Sequence, residues 1–411
     1  MRFEKPHAID TSSLAACLES LESGGRPEGG GTTAGEIPSV GAEHLNDSGS
    51  FDFESIKFIP RDYYERMFKG RVRPNDILIV KDGATTGKTA FVNRDFPYKE
   101  AAVNEHVFIV RTKSDILFPR YAFFFLHSDY GKQLILRDFR GSAQGGITRG
   151  FVEKIQTPLP PLPIQKQIAA ILEKADAARE KRQQANQLTK QFLESAFLEM
   201  FGDPVRNPKR WKVVRLGEIL TAIDSGKSPV CLKRPAAEDE WGVLKLGAVT
   251  PGWYSDTENK ALPAEVKPDE QFEVRVGDLL LVRKNTYELV GRTALVLSTR
   301  RKLLLSDLTF RLVVMHNLVA AEYLWYTLNN KSIQARIQNL SGGSAGSMPN
   351  VSKERLKTLS LPVPSLPLQQ QFASIVHSVE SLRTKQRESE KELENLFNSL
   401  MQRAFRGELV G

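Results

Sequence analysis

The sequence predicts an α+β protein: two similar heads of mixed sheet with helices, joined by two long helices packed as an antiparallel coiled coil. Three repeated features predict it. Leu159-Pro160-Pro161-Leu162-Pro163-Ile164-Gln165-Lys166-Gln167 returns about 204 residues later as Val363-Pro364-Ser365-Leu366-Pro367-Leu368-Gln369-Gln370-Gln371. Earlier in each half, Val72-Arg73-Pro74-Asn75-Asp76-Ile77-Leu78-Ile79-Val80 matches Val274-Arg275-Val276-Gly277-Asp278-Leu279-Leu280-Leu281-Val282. Each proline-rich turn then opens a stretch without Gly or Pro that runs to Gly202 or Gly407. A repeat of this size is a domain duplication, since solenoid units run about 20 to 50 residues. The expected boundaries are 1–160 and 203–364 for the heads, with 161–202 and 365–406 for the helices.

The helices follow from a 4-3-4-3 spacing that keeps one face apolar. It selects Ile164, Ile168, Ile171, Ala175, Ala178, Arg182, Ala185, Thr189, Phe192 and Ala196, then Leu368, Phe372, Ile375, Val379, Leu382, Gln386, Ser389, Leu393, Leu396 and Leu400. Small residues in the first list against bulky ones in the second favour mutual packing. A head between the two helices in sequence favours an antiparallel pair about 55 Å long. Arg182 and Gln386 occupy equivalent polar positions, a device that can fix register. The alternative is that each helix packs only on its own head.

Within the heads, Asp76 to Val80 and Asp278 to Val282 read as buried strands. Ala90 to Val92 and Ala294 to Val296 read as their partners across loops ending at Gly87 and Gly291. Tyr121 to Leu126 and Tyr323 to Leu328 lead into polar helical patterns. Each head closes with a loop rich in Gly and Ser, residues 141–146 and 341–346, before strands that begin near Ile155 and Leu359.

Composition narrows the function. The 411 residues carry a formal charge of +8 with a pI near 9.3, which permits a polyanionic partner. The longest apolar run, Tyr121 to Leu126, is far short of the roughly 20 residues that span a bilayer. No signal peptide pattern opens the chain, and two cysteines, Cys17 and Cys231, make neither a disulfide framework nor a zinc site. A cytoplasmic protein with no membrane partner is expected.

Catalytic signatures are missing. Gly83-Ala84-Thr85-Thr86-Gly87-Lys88-Thr89 imitates a phosphate-binding loop but has three residues between its glycines where four are needed. A tight turn between strands accounts for it better. The six histidines form no zinc-binding pair of the kind that metallohydrolases use, and no serine sits in a nucleophile elbow. Basic residues instead gather where the halves diverge, interleaved with Tyr63, Tyr64, Trp253, Tyr254 and Tyr287. The candidate DNA-binding set is Arg61, Lys69, Arg71, Lys88, Arg140 and Arg149 in the first half, and Lys227, Arg234, Arg283, Lys284, Arg292 and Lys353 in the second. Phosphate contacts would position each head and base-edge contacts would specify sequence.

Taken in order along the chain, these segments resemble the DNA specificity subunit of type I restriction-modification systems. The residues that carry the resemblance are Ser23-Gly24-Gly25-Arg26-Pro27, Ile37-Pro38-Ser39-Val40, Asp76 to Val80 with Gly83 to Gly87, and Leu159 to Gln167. They continue through Phe201-Gly202-Asp203-Pro204 and Trp211 to Ile219. The resemblance implies two target-recognition domains, each reading one half of a bipartite, asymmetric site in double-stranded DNA. It also implies that the paired helices act as a spacer that docks two methyltransferase subunits, with restriction subunits added for cleavage. The chain itself would then hold no cofactor: S-adenosylmethionine, ATP and Mg2+ would belong to the partners. Two other readings stay open, a coiled-coil scaffold without DNA contact and a nucleotide-dependent enzyme using Lys88.

Overall fold

The computed structural model describes residues 10–141, 145–342 and 348–409. Most of the predicted loops at 141–146 and 341–346 therefore lie outside the described residues. The chain divides into two compact units, Met1–Gln183 with Glu388–Gly411, and Gln184–Arg387.

In the first unit a four-stranded antiparallel sheet is built from β1 (Leu18–Ser23), β2 (Ile77–Val80), β3 (Thr89–Phe91) and β4 (Val107–Thr112). Its spatial order is β1-β4-β2-β3. The unbroken apolar run of β2 has a direct cause, because the sheet is covered on both faces. Ile77 and Ile79 face a core shared with two helices, α1 (Pro119–His127) and α2 (Asp129–Leu136), whereas Leu78 and Val80 face a second core beneath Val40 and Val103. With period-2 alternation both sets must be apolar. The second core is roofed by a small sheet in which Ile37–Val40 pairs antiparallel with Lys57–Ile59 and parallel with Ala102–Val103.

The second unit repeats this plan. Strands β5 (Leu220–Ser225), β6 (Leu279–Val282), β7 (Thr293–Leu295) and β8 (Thr309–Val314) take the order β5-β8-β6-β7. Helices α3 (Ala321–Asn329) and α4 (Lys331–Leu340) cover one face. The duplicated strand openings share one turn. Asn75 (φ 70°) and Gly277 (φ 93°) take the left-handed conformation that asparagine and glycine tolerate best. The next residue's carboxylate then accepts from a backbone N–H, Asp76 from Arg73 at 2.7 Å and Asp278 from Arg275 at 2.9 Å. Asp76 also receives two bonds of 2.8 Å from Arg111, and Asp278 one of 3.1 Å from Arg311.

Two helices of 40 residues follow the heads, Leu162–Phe201 and Leu366–Phe405. Inside the first unit, Ile168 and Leu172 share a core with Phe397, Met401 and Ala404, and Arg179 stacks on Phe397 at 4.2 Å while pairing with Glu394. Inside the second, Phe197 and Phe201 pack on Phe372 at 5.5 Å. Numbers rise along one helix as they fall along the other, so the pairing is antiparallel. Each helix also enters the core of a head, which joins the two packing expectations. The seam itself departs from the sequence register. Phe192, Leu382 and Leu396 are about half exposed, while Leu193, Val376 and Phe397 are buried. The shift is present from the first turns, where Leu172 and Val376 are buried beside the predicted Ile171 and Ile375, because these turns also pack into the cores of the heads. Gln386 is buried, and its amide donates to Thr189 at 3.0 Å.

The repeated glutamine at each helix opening acts as a staple. Gln165 donates to the carbonyls of Pro160 (2.8 Å) and Ile116 (3.0 Å) and accepts from Phe118 N–H at 2.8 Å. Gln369 does the same with Pro364 (2.8 Å), Leu318 (3.3 Å) and Ala320 N–H (2.8 Å). Both side chains are almost fully buried. Each fixes the start of a long helix to the loop before a head helix.

Candidate nucleic-acid interface

Loops converge at one end of each main sheet, where the C-terminal ends of two strands meet the N-terminal end of a third. In the first unit Ser23 of β1 lies opposite Phe108 of β4, and Val80 of β2 opposite Val107. Backbone bonds then tie the loops together: Lys81 N–H to His106 carbonyl at 2.8 Å, and Ile147 N–H to Lys81 carbonyl at 2.8 Å. The second unit places Arg283 N–H on Leu308 at 3.0 Å and Val351 N–H on Arg283 at 2.9 Å. The backbone frame is one frame built twice.

The side chains on that frame differ. In the first unit Arg26 grips Glu105, with Nε 2.8 and 2.9 Å from the two oxygens, and reaches His106 Nε2 at 3.1 Å. His106 Nδ1 sits 2.5 Å from Asp82, and Lys81 Nζ donates to the Glu105 carbonyl at 3.2 Å. Burial opposes the Glu105 charge, but the Arg26 bonds outweigh it and hold the carboxyl below its ordinary range. Beside this network, burial likewise opposes the charge of Asp138, which Lys154 and Thr148 nonetheless hold at about 2. In the second unit the matching positions carry Ser228, Asp307, Leu308 and Lys284. Arg283 and Lys353 both lie over the Phe310 ring, at 5.1 and 5.8 Å.

Most of the predicted basic residues fall into two groups. Arg140 and Arg149 flank the first loop cluster, Arg149 donating to the Leu21 carbonyl at 2.8 Å, and Arg283, Lys284 and Lys353 form the second. Arg61, Arg71, Lys88, Lys227 and Arg234 are set apart from these clusters by the partners they take. Arg61 pairs with Glu36 (2.8 Å) and Glu100 (3.1 Å), Lys227 with Asp269 (2.9 Å), and Arg234 with both oxygens of Glu240. Arg71 is structural, bonded to the carbonyls of Tyr64 and Glu65 and stacked on the Tyr64 ring. Lys69 is exposed beside Phe68, whose side chain is fully exposed. Arg292 is half-buried at the end of the turn from β6 to β7.

Lys88 pairs with Asp47 at 2.9 Å at the edge of a cleft of about 810 Å³. The turn before it spends its amides internally: Thr86 N–H bonds Gly83, Gly87 N–H bonds Val80 and Lys88 N–H bonds Thr85. A phosphate cradle needs those N–H groups free, so the strand-to-strand turn is the observed role. Sequence reasoning missed Arg26, Lys81, Asp82, Glu105 and His106. The Ser23 to Pro27 motif and the predicted Arg140 and Arg149 pointed to this region without naming these five as site residues.

Among the described residues, no three His, Cys, Asp or Glu side chains lie close enough together to hold a metal, and no helix is long and apolar enough to cross a membrane. Fold and loop ends together define a duplicated α+β module. Residues 31–190 and 208–395 each match the type I restriction modification DNA specificity domain. The chain therefore belongs to that family, with two copies of its domain.

It is 35% identical over 174 residues to the type I restriction enzyme EcoEI specificity subunit of Escherichia coli, covering 42% of this chain and 29% of that protein. The chain thus spans less than a third of that relative's length. Against the MjaVIII specificity subunit of Methanocaldococcus jannaschii it is 22% identical over 395 residues, covering 91% and 86%. Its fold matches the S subunit of a type I system from M. genitalium with a TM-score of 0.63 at 13% identity, over 98% of both chains. A chain from work on complex assembly and conformational transition of the type I R-M system gives 0.53 at 19% identity, over 99% and 100%.

Proposed function

We propose that this chain is the sequence-reading, non-catalytic subunit of a type I restriction-modification complex. Residues 1–160 and 203–364 serve as target-recognition domains, each reading one half of a bipartite, asymmetric site in double-stranded DNA. The helices at 161–202 and 365–406 serve as the spacer and dock two methyltransferase subunits, with restriction subunits added for cleavage. S-adenosylmethionine, ATP and Mg2+ are assigned to those partners, and the complex to the cytoplasm.

The observation that carries this reading is the loop end: one backbone frame, built twice, with unlike side chains on it. A structural duplication alone would keep similar residues there. Replacing Arg26, Lys81 and His106 with Ser228, Arg283 and Leu308 changes the donors and acceptors offered to a base edge, while the frame keeps its orientation. The nearby cations, Arg140, Arg149, Lys284 and Lys353, supply phosphate contacts, which position each head without specifying sequence.

The test is single-molecule methylation mapping of host DNA with and without the gene, and with residues 1–160 exchanged for those of another family member. The expected result is a split motif that depends on the gene, only one half of which changes on exchange. No gene-dependent split motif would refute the proposal, and changes in both halves would refute the division of labour between the heads.

A further inference from the structure

We propose that Arg283 reads a guanine in the half-site bound by the second head. This rests on the DNA-recognition reading above and adds the identity of one base. Arg283 follows the last residue of β6 and is half-buried. Four contacts hold it. Its backbone N–H bonds Leu308 and its carbonyl accepts from Val351. Its guanidinium lies over the Phe310 ring at 5.1 Å, and its Nε donates to Asn350 Oδ1 at 3.3 Å.

These contacts use Nε and one face of the group. Among the described residues, Nη1 and Nη2 make no hydrogen bond or ion pair. What is left is a planar fork of N–H donors held in one orientation without a carboxylate. Several other arginines of this unit spend a terminal nitrogen on a partner: Arg234 on Glu240, Arg311 Nη1 on Asp278, and Arg300 Nη1 on the carbonyls of Glu240 and Arg301.

A fork of this kind suits two adjacent acceptors, and the O6 and N7 of guanine in the major groove are such a pair. A phosphate offers acceptors too, but it needs no fixed plane. Lys353, over the same ring with only a loose cation–π contact, and Lys284, exposed on the same loop, meet that need better. Stacking on a buried ring and tethering at Nε both restrict rotation. That restriction lowers the ordering cost of a bidentate contact and does little for a point charge.

In the first unit the equivalent residue is Lys81, tied to the Glu105 carbonyl and next to Asp82. It has no planar fork, so the arginine contact proposed here belongs to the second head.

The test maps methylation by the assembled complex of this chain with its methyltransferase partner, for the wild type, Arg283→Ala and Arg283→Lys. In both variants the half-site of the first head should stay intact. One guanine in the other half should relax, with discrimination falling about 5- to 150-fold. Lysine should recover overall binding strength with less discrimination than arginine, since an ammonium can reach O6 and N7 but lacks the planar fork that fixes two parallel bonds. It keeps an aliphatic stem over Phe310, so it carries the test even if the alanine variant fails to assemble. A uniform loss across all sites that lysine rescues would overturn the proposal and make Arg283 a phosphate contact. An unchanged motif at unchanged strength would overturn it as well. A wild-type complex that marks no split motif would instead bring down the DNA-recognition reading itself.

Discussion

Replacing Gln165 with alanine removes a side chain that makes three hydrogen bonds in a dry site. At about 1 kcal/mol net for each bond the loss is about 3 kcal/mol, and the stranded Phe118 N–H and two carbonyls push it upward rather than down. The damage is local, because the staple joins the opening of a long helix to the loop before α1. Native-state hydrogen exchange reads such local opening directly, and the Phe118 amide is the reporter because it bonds Gln165 itself. About 3 kcal/mol corresponds to roughly 150-fold faster exchange, at 1.4 kcal/mol per factor of ten. The duplication supplies its own control. Gln369→Ala should accelerate the Ala320 amide by a similar factor and leave Phe118 alone, and Gln165→Ala should do the reverse. An acceleration below about fivefold, or one that spreads equally to both amides, would refute the assignment of the motif as two independent local staples.

Two further outcomes are expected. Lys284→Ala and Lys353→Ala should each weaken DNA binding by the assembled complex at every sequence and reduce the slope of log affinity against log salt by about 1, as a lost phosphate contact does; a salt titration checks this. Burial, with Arg179, Lys132 and Arg120 nearby, lowers His127 to about 4. A group whose folded pKa lies below its unfolded value near 6.5 leaves full stability above pH 6.5 and destabilises as pH falls toward 4. The loss reaches about 2 kcal/mol by pH 5, and denaturation at pH 7 and pH 5 should show it. His127→Asn, which installs the residue found at the equivalent position Asn329, should abolish that pH dependence.

The sequence by itself determined the duplicated plan, and the reason is that its signals are local. The strand at Ile77–Val80 is legible because four apolar residues follow a turn whose Asn75 and Asp76 are neighbours. The long helices are legible because nothing breaks them for 40 residues. The glutamine motif was visible as a repeat, but its work as a staple was not, since the groups it bonds lie up to 51 residues away. The helix seam was misplaced by one position, with Leu172, Leu193, Val376 and Phe397 buried beside the predicted Ile171, Phe192, Ile375 and Leu396, because spacing along one helix does not record which face a head also covers.

Only the tertiary structure decided which charges are available. Arg61, Arg71 and Arg234 look no different in sequence from Arg283 and Lys284, yet folding gives the first three carboxylate or carbonyl partners and, among the described residues, leaves the fork of Arg283 open. The network of Arg26 with Glu105 joins residues 79 apart. A side chain's pairing depends on what the fold carries to within about 3 Å of it, and periodicity along a chain holds no record of that distance.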